Sequence, residues 1–173
     1  MHRKLTSVLV VVALFAFAPQ SVFGQFLLGP EVAWNDDFDI GIGAGVEYDL
    51  DNLLEGLGVQ GDFLFFFPGD VKGLENYDQD YMEFNANATY DFPLKNSTVV
   101  PYALAGANIG IANFDYTGTA DVPVSDGTEV GLNLGGGIQF DLGKFRPRVG
   151  ARIVLGGWET FTIYGFLPFV IGG

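Results

Sequence analysis

Hydrophobic and polar residues alternate one by one along most of the chain. The clearest stretch is 39–50, where every even position is apolar or aromatic and every odd position is Asp, Glu or Gly. Because successive side chains of a β-strand point to opposite faces, this period of two predicts a strand with one apolar and one polar face. The same pattern predicts strands over 26–35, 57–67, 81–92, 128–142, 146–155 and 159–169.

Residues 100–111 predict an eighth strand whose phase is ambiguous. Tyr102 and Leu104 indicate one phase, whereas Ile109 and Ile111 indicate the other. A bulge between the two pairs would account for the change, because a bulge inserts one extra residue into a strand.

The number and spacing of these runs predict one closed sheet. Each run is about as long as a transmembrane strand, which needs roughly 9–11 residues, and the chain is too short for sixteen of them. The connections at 51–56, 93–98 and 143–145 are short, whereas those at 68–80 and 112–127 are longer and acidic. Short periplasmic turns and longer extracellular loops are typical of outer-membrane barrels. We therefore predict an all-β fold, an eight-stranded antiparallel up-and-down transmembrane β-barrel with two acidic extracellular loops.

The alternation alone fits two kinds of barrel. A secreted, soluble barrel that binds an apolar ligand, as lipocalins do, turns its apolar face inward, whereas a membrane barrel turns that face toward lipid. The polar face here carries Gly, Asn, Gln and Thr with few lysines, which is unusual for a strand face in water. Aromatic residues gather near strand ends, where membrane proteins place interfacial girdles. These features favour the membrane barrel and leave the lipocalin-like barrel as the alternative.

The apolar face of a membrane barrel supplies its contacts with the bilayer. The residues predicted to face lipid are Ile42, Val46, Phe63, Phe65, Phe84, Leu132, Leu134, Ile153, Phe161 and Ile163. The residues predicted to form the aromatic girdle are Trp34, Phe67, Tyr90, Phe92, Tyr102, Phe140 and Trp158.

Residues 1–24 predict a cleaved signal peptide, which leaves 25–173 as the barrel domain. Arg3 and Lys4 give it a basic start, an apolar run follows, and 22–24 offer a cleavage site. The apolar run is too short to cross a bilayer core of about 30 Å as a helix.

The composition removes several classes of function. Of the 173 residues, 49% are hydrophobic and 17% are charged, with no cysteine and a net charge of −13. A chain this acidic is not expected to bind nucleic acid, which attracts basic surfaces. The only histidine, His2, lies in the predicted signal peptide, so catalysis through an imidazole and zinc sites of Cys and His are excluded from the barrel. We expect no enzyme activity, no catalytic residue, no metal site and no cofactor.

The polar face predicts a charged barrel interior. The predicted lumen charge network consists of Glu31, Glu47, Asp62, Glu83, Glu129, Arg148 and Arg152. Buried charges are tolerated when they are paired and hydrogen-bonded, so these residues predict a salt-bridged plug. Because the carboxylates outnumber the arginines, a narrow cation-preferring channel is the alternative.

Five segments of the chain resemble a known family: the cleavage region at 22–24 and the strand segments 41–48, 101–106, 134–140 and 161–169. Together they resemble the small eight-stranded outer-membrane β-barrel proteins of Gram-negative bacteria, the OmpA/OmpX-like superfamily. The resemblance implies a location in the bacterial outer membrane and a structural or surface-interaction role. It also implies contact with outer-membrane lipid and lipopolysaccharide, insertion by the outer-membrane assembly machinery, and a monomeric barrel. The ligand of the outer loops does not follow from the resemblance.

Overall fold

The computed structural model describes residues 25–70, 77–116 and 127–171. The predicted signal peptide lies outside the described residues. Among the described residues, nine strands form one antiparallel sheet: β1 (Phe26–Asn35), β2 (Asp39–Asp49), β3 (Leu57–Asp70), β4 (Tyr77–Asp91), β5 (Val99–Tyr116), β6 (Gly127–Phe140), β7 (Arg148–Leu155), β8 (Phe161–Phe166) and β9 (Phe169–Ile171). The part of the chain with described positions contains no helix that is long and apolar enough to cross a membrane.

The sheet closes on itself through β1. This strand pairs along its full length with β2 on one side, and with β8 and β9 on the other. β8 and β9 form one barrel strand, interrupted at Leu167 and Pro168. Pro168 lacks an N–H, as does Pro30 on the facing strand, so the regular pairing is interrupted here. The Leu167 N–H still donates to the Pro30 carbonyl at 3.0 Å, which keeps the two strands joined. The predicted eight-stranded antiparallel barrel is confirmed.

Exposed and buried residues alternate around the barrel. In β1 every second residue from Leu27 to Asn35 is buried. Leu132 and Ile153 are 63% and 40% exposed, whereas Glu83 and Arg152 are 0% and 1% exposed. Apolar side chains therefore cover the outside and charged side chains lie inside. The lipocalin-like alternative is wrong because it requires the opposite arrangement.

The strand with the ambiguous phase, β5, keeps one register throughout. Its pairing with β6 is continuous from Val99 to Ala112. Tyr102 and Leu104 are buried inside the barrel, whereas Ile109 and Ile111 lie on the outer face. No bulge is present in this pairing, because the two apolar pairs simply lie on opposite faces.

β3 and β4 are longer than predicted. β3 continues to Asp70 and β4 begins at Tyr77, and Gly69 pairs with Gln79. The register shifts between Phe66 and Gly69, which places Pro68 in a bulge, where proline is tolerated in a sheet. The predicted loop at 68–80 is therefore too long, because polar residues can continue a backbone ladder.

β5 and β6 show the same difference. β5 ends at Tyr116, and β6 begins at Gly127 opposite Ala112. The predicted loop at 112–127 therefore begins too early. The remaining loop residues, 71–76 and 117–126, lie outside the described residues.

The connections at the other end of the barrel are tight. Gly56, Asn96 and Gly143 have φ values of 82°, 60° and 83°, a left-handed conformation that Gly and Asn tolerate. The β6–β7 connection spans 141–147 and not 143–145, because β6 ends at Phe140.

The barrel interior is only partly polar. Its buried apolar cluster consists of Ala33, Phe38, Leu64, Phe66, Tyr81, Tyr102, Leu104, Ala112, Tyr164 and Phe166. These residues were not predicted to lie inside, because the alternation assigned the interior to polar side chains. Phe38, Phe66 and Tyr81 fill the interior near the upper end, opposite the short turns. Tyr102, Tyr164 and Phe166 lie lower, beside the two buried arginines.

Candidate functional site

The most strongly charged part of the interior surrounds Arg152. Its guanidinium nitrogens lie 3.2 Å from Asp62 Oδ1, 3.4 Å from Glu83 Oε1 and 3.9 Å from Glu31 Oε1. The carboxylates come from β1, β3 and β4 and the arginine from β7, so the group connects separate parts of the barrel wall. These four buried residues form the central cluster.

Buried asparagines extend the central cluster. Asn85 donates a hydrogen bond to Asp62 at 2.7 Å, and Asn108 donates to Glu83 at 2.8 Å. Asn133 donates to the Asn85 side-chain oxygen at 2.8 Å, which connects β6 to the same network. Hydrogen bonds to buried carboxylates offset part of the cost of removing their charge from water.

A second arginine lies nearer the short turns. Arg148 contacts Glu47 at 2.8 Å and Asp91 at 3.0 Å, and its Nε donates to Gln139 at 2.7 Å. Arg148, Glu47 and Gln139 are buried, and Asp91 is half-buried at the end of β4. These four residues form the lower cluster.

Two tyrosines connect the clusters. The hydroxyl oxygens of Tyr102 and Tyr164 are 2.7 Å apart. The guanidinium carbon of Arg148 lies 4.8 Å from the Tyr102 ring centroid, and that of Arg152 lies 5.3 Å from the Tyr164 ring centroid. Both distances fit cation–π contacts. A Cβ at Gly150 would lie 2.2 Å from the Tyr102 hydroxyl, so glycine provides the space for this pair.

The upper end of the interior is apolar. Phe38, from the turn between β1 and β2, stacks on Tyr81 with ring centroids 3.9 Å apart. The backbone N–H of Phe38 donates to Asn35 Oδ1 at 3.2 Å, and the Asn35 amide donates to Thr162 at 2.9 Å. The turn is therefore held in a position that directs Phe38 into the barrel.

Side chains thus occupy the interior at three levels, the lower cluster, the central cluster and the apolar upper end. Within the described ranges, no group of three or more Asp, Glu, His or Cys residues could hold a metal ion. The carboxylates of both clusters face arginines and amides, an arrangement that stabilises their charge.

Six of the seven residues predicted for the lumen charge network lie in the two clusters: Glu31, Glu47, Asp62, Glu83, Arg148 and Arg152. Glu129 is the exception. It is half-buried on β6 and pairs with Gly110, the residue that also pairs with Glu83 of the central cluster. The ion pairs of Arg148 and Arg152 do not include it. The sequence pattern identified its face and could not give its partners.

The residues predicted to face lipid all lie on the outer face of the barrel: Ile42, Val46, Phe63, Phe65, Phe84, Leu132, Leu134, Ile153, Phe161 and Ile163. Of the predicted girdle, the outer face carries Trp34, Phe67, Tyr90, Phe92 and Phe140.

Two girdle predictions are wrong. Tyr102 is buried in the lumen, and Trp158 packs against the buried apolar cluster. Both lie near strand ends, which is why their position suggested an interface. The parity of Tyr102 with Asn108 on β5 is the signal that would have placed it inside.

Comparison with known proteins places these features in a family. The model of the outer membrane protein beta-barrel domain matches residues 6–153. The N-terminal β-barrel domain of Pseudomonas aeruginosa OprF is similar, with a TM-score of 0.62 and 15% identity over 86% of this chain and 100% of that chain. Neisserial surface protein A gives 0.61 and 15% identity over 86% of this chain and 97% of that one.

Further structures share the fold. The attachment invasion locus protein Ail of Yersinia pestis gives a TM-score of 0.57 and 19% identity over 85% of this chain and 95% of that one. The outer membrane enzyme PagL gives 0.50 and 16% identity over 85% and 99%. No curated protein sequence matches the chain. At these identities the structural similarity establishes the fold alone.

Proposed function

Because the chain belongs to the family of outer membrane protein beta-barrel domains, and so is a protein of the bacterial outer membrane, we propose that it has a structural and surface-interaction role. In this proposal its lumen is plugged by polar and charged side chains and does not conduct.

The observation that carries the proposal is the pairing of Arg152 with three carboxylates from β1, β3 and β4. The interior of an eight-stranded barrel is only just wide enough to be filled by side chains. A guanidinium held between several strands therefore leaves little room for a continuous water path. The lower cluster and Phe38 add obstacles below and above it.

The upper parts of β3, β4 and β5 support the proposed surface role. These three strands extend above the first residues of β2 and β6. β3 pairs with β4 as far as Asp70 and Asp78, and β4 pairs with β5 as far as Tyr77 and Tyr116. Asp80 and Asp115 add to the acidic character of this segment. We propose that it contacts lipopolysaccharide through divalent cations, or a neighbouring molecule outside the cell.

The closed sheet supports a monomer. β1 completes the barrel by pairing with β2, β8 and β9 of the same chain, so the barrel needs no second copy. We propose that the outer-membrane assembly machinery inserts it in this form.

We also propose that the barrel is not an enzyme. The chain contains no cysteine, and its single histidine is His2, outside the matched barrel strands. The carboxylates of both clusters pair with arginines, an arrangement that holds charge in place and does not set up an acid and a base for catalysis.

Conductance in planar lipid bilayers tests the sealed lumen. The refolded protein is expected to give no current steps in concentrated potassium chloride, whereas a general porin inserted in the same bilayers reports that the assay works. Regular, cation-selective steps from the folded protein would support the narrow channel and end the proposal of a plugged barrel.

A further inference from the structure

The apolar outer face of the barrel continues past the ends of two strands. Leu94 lies two residues after Phe92, just beyond the end of β4. Leu142 lies two residues after Phe140, the last residue of β6. Leu94 is 52% exposed and Leu142 is 60% exposed. Both are exposed and follow Phe92 and Phe140 closely, so they lie next to the lower edge of the lipid-facing surface.

Each of these leucines has an exposed lysine beside it. Lys95 directly follows Leu94, and Lys144 lies two residues after Leu142. Leucine at the edge of the lipid-facing surface and lysine next to it is the arrangement that amphipathic surfaces use at an anionic bilayer.

The two turns are adjacent and held in place. The N–H of Asp141 donates to the carbonyl of Thr98 at 2.8 Å, which connects the β6–β7 turn to the β4–β5 turn. The N–H of Val170 donates to the carbonyl of Lys144 at 2.8 Å, which fixes the second turn to β9. The lysines therefore occupy one side of the lower rim.

The third turn, between β2 and β3, differs in charge. It exposes Leu53 and Leu54 but carries Asp51 and Glu55 and no lysine. Of the three lower turns, only the two that follow β4 and β6 combine leucine with lysine.

We propose that the turns 93–98 and 141–147 form a docking surface for anionic phospholipids of the periplasmic leaflet. Leu94 and Leu142 enter the boundary of the acyl chains, and Lys95 and Lys144 contact the lipid phosphates. Three observations commit the surface to this occupant: its continuity with the lipid-facing wall, its positive charge in an otherwise acidic chain, and its place at the end with short turns, which in such barrels faces the periplasm. A water-solvated rim would leave both leucines exposed beside the bilayer at a cost in hydrophobic free energy.

Spin-labelled phospholipids test the proposal. The refolded protein is placed in zwitterionic bilayers with a trace of spin-labelled phosphatidylglycerol or phosphatidylcholine, and the immobilised fraction is read by electron paramagnetic resonance. We expect about a threefold preference for phosphatidylglycerol, in line with the attraction of a lysine to an anionic surface. High salt should reduce it, because such contacts are screened.

Two matched variants separate charge from structure. Lys95→Gln with Lys144→Gln should lower the preference to about one, whereas Lys95→Arg with Lys144→Arg should keep it, because arginine retains the positive charge. Heat-modifiable gel mobility confirms that each variant is folded. Equal association of the two lipids with the wild-type protein, or an unchanged preference in the glutamine variant, would overturn the proposal.

Discussion

At the scale of single residues, two arginines organise the interior. Arg152 lies against Glu31, Asp62 and Glu83, and Arg148 lies against Glu47 and Asp91. Each arginine is outnumbered by its carboxylates, so removing one leaves several negative charges together in a buried site. Tyr102 and Tyr164 connect the two arginines, which makes the clusters parts of one continuous polar network.

Replacing Arg152 by Met tests this arrangement, because Met retains much of the length and lacks the charge. Breaking a buried ion pair from one side typically costs about 3–5 kcal/mol, so the free energy of unfolding should fall by about that amount. Denaturant titration of the protein in phospholipid vesicles, followed by tryptophan fluorescence, measures the change.

Arg146→Met is the matched control. Arg146 pairs with Asp49 at 3.0 Å at the lower mouth, where both side chains are partly exposed. Such pairs contribute at most about 1 kcal/mol, so this variant should be nearly as stable as the wild type. Equal losses in the two variants would contradict the special role of Arg152.

The sequence could predict which residues face the lumen, but it could not predict which of them contact one another. The parity of Glu83 and Arg152 places both on the polar face, and the structure has both inside. Parity does not show which charges meet, so the predicted network included Glu129, which the ion pairs of Arg148 and Arg152 leave out. It also gives no packing, so the insertion of Phe38 from a turn between strands could not be foreseen.

At the scale of elements, the strands follow from the period of two and their ends do not. β1 has the predicted bounds, Phe26–Asn35, because Asn35 turns the chain by accepting hydrogen bonds from the next N–H groups. β3, β4 and β5 run past their predicted ends because Asp and Asn side chains leave the backbone ladder intact. The pairing register of β5 is regular, but the sequence did not predict it, because apolar residues lie on both faces of this strand.

An arginine on the outer face of β6 tests the orientation of this element. Leu134 is exposed on the outer face and pairs with Ala105 and Ile153 near the middle of the strand. Arginine on a lipid-facing strand costs about 2–4 kcal/mol at the bilayer midplane, so Leu134→Arg should lower the free energy of unfolding in vesicles by that amount.

Leu142→Arg is the control, because Leu142 lies in the turn just beyond the lower end of the same strand. The cost falls to about 0–1 kcal/mol near the interface, and an arginine there can reach the headgroups. A loss at Leu142 as large as that at Leu134 would mean that β6 does not cross the bilayer in this orientation.

At the scale of the whole molecule, closure and charge give the barrel two different ends. The upper end carries paired acidic strand segments, and the lower end carries tight turns with two exposed lysines. The closed sheet between them is apolar outside and charged inside. That division follows from one alternating pattern, which is why the fold was accessible from the sequence while the surface partner was not.

The most direct test of the central claim is a single-cysteine scan along β6, which is feasible because the chain has no cysteine of its own. Nitroxide labels at Leu132, Leu134 and Ile138 should collide with oxygen dissolved in lipid. Labels at Asn133 and Gln139 should meet neither oxygen nor a water-soluble nickel chelate, because the lumen around them is filled. Collision of the nickel chelate with labels at Asn133 or Gln139 would reveal a water-filled lumen. Collision of oxygen with these two labels, and not with the labels at Leu132, Leu134 and Ile138, would mean that the opposite face of β6 contacts lipid.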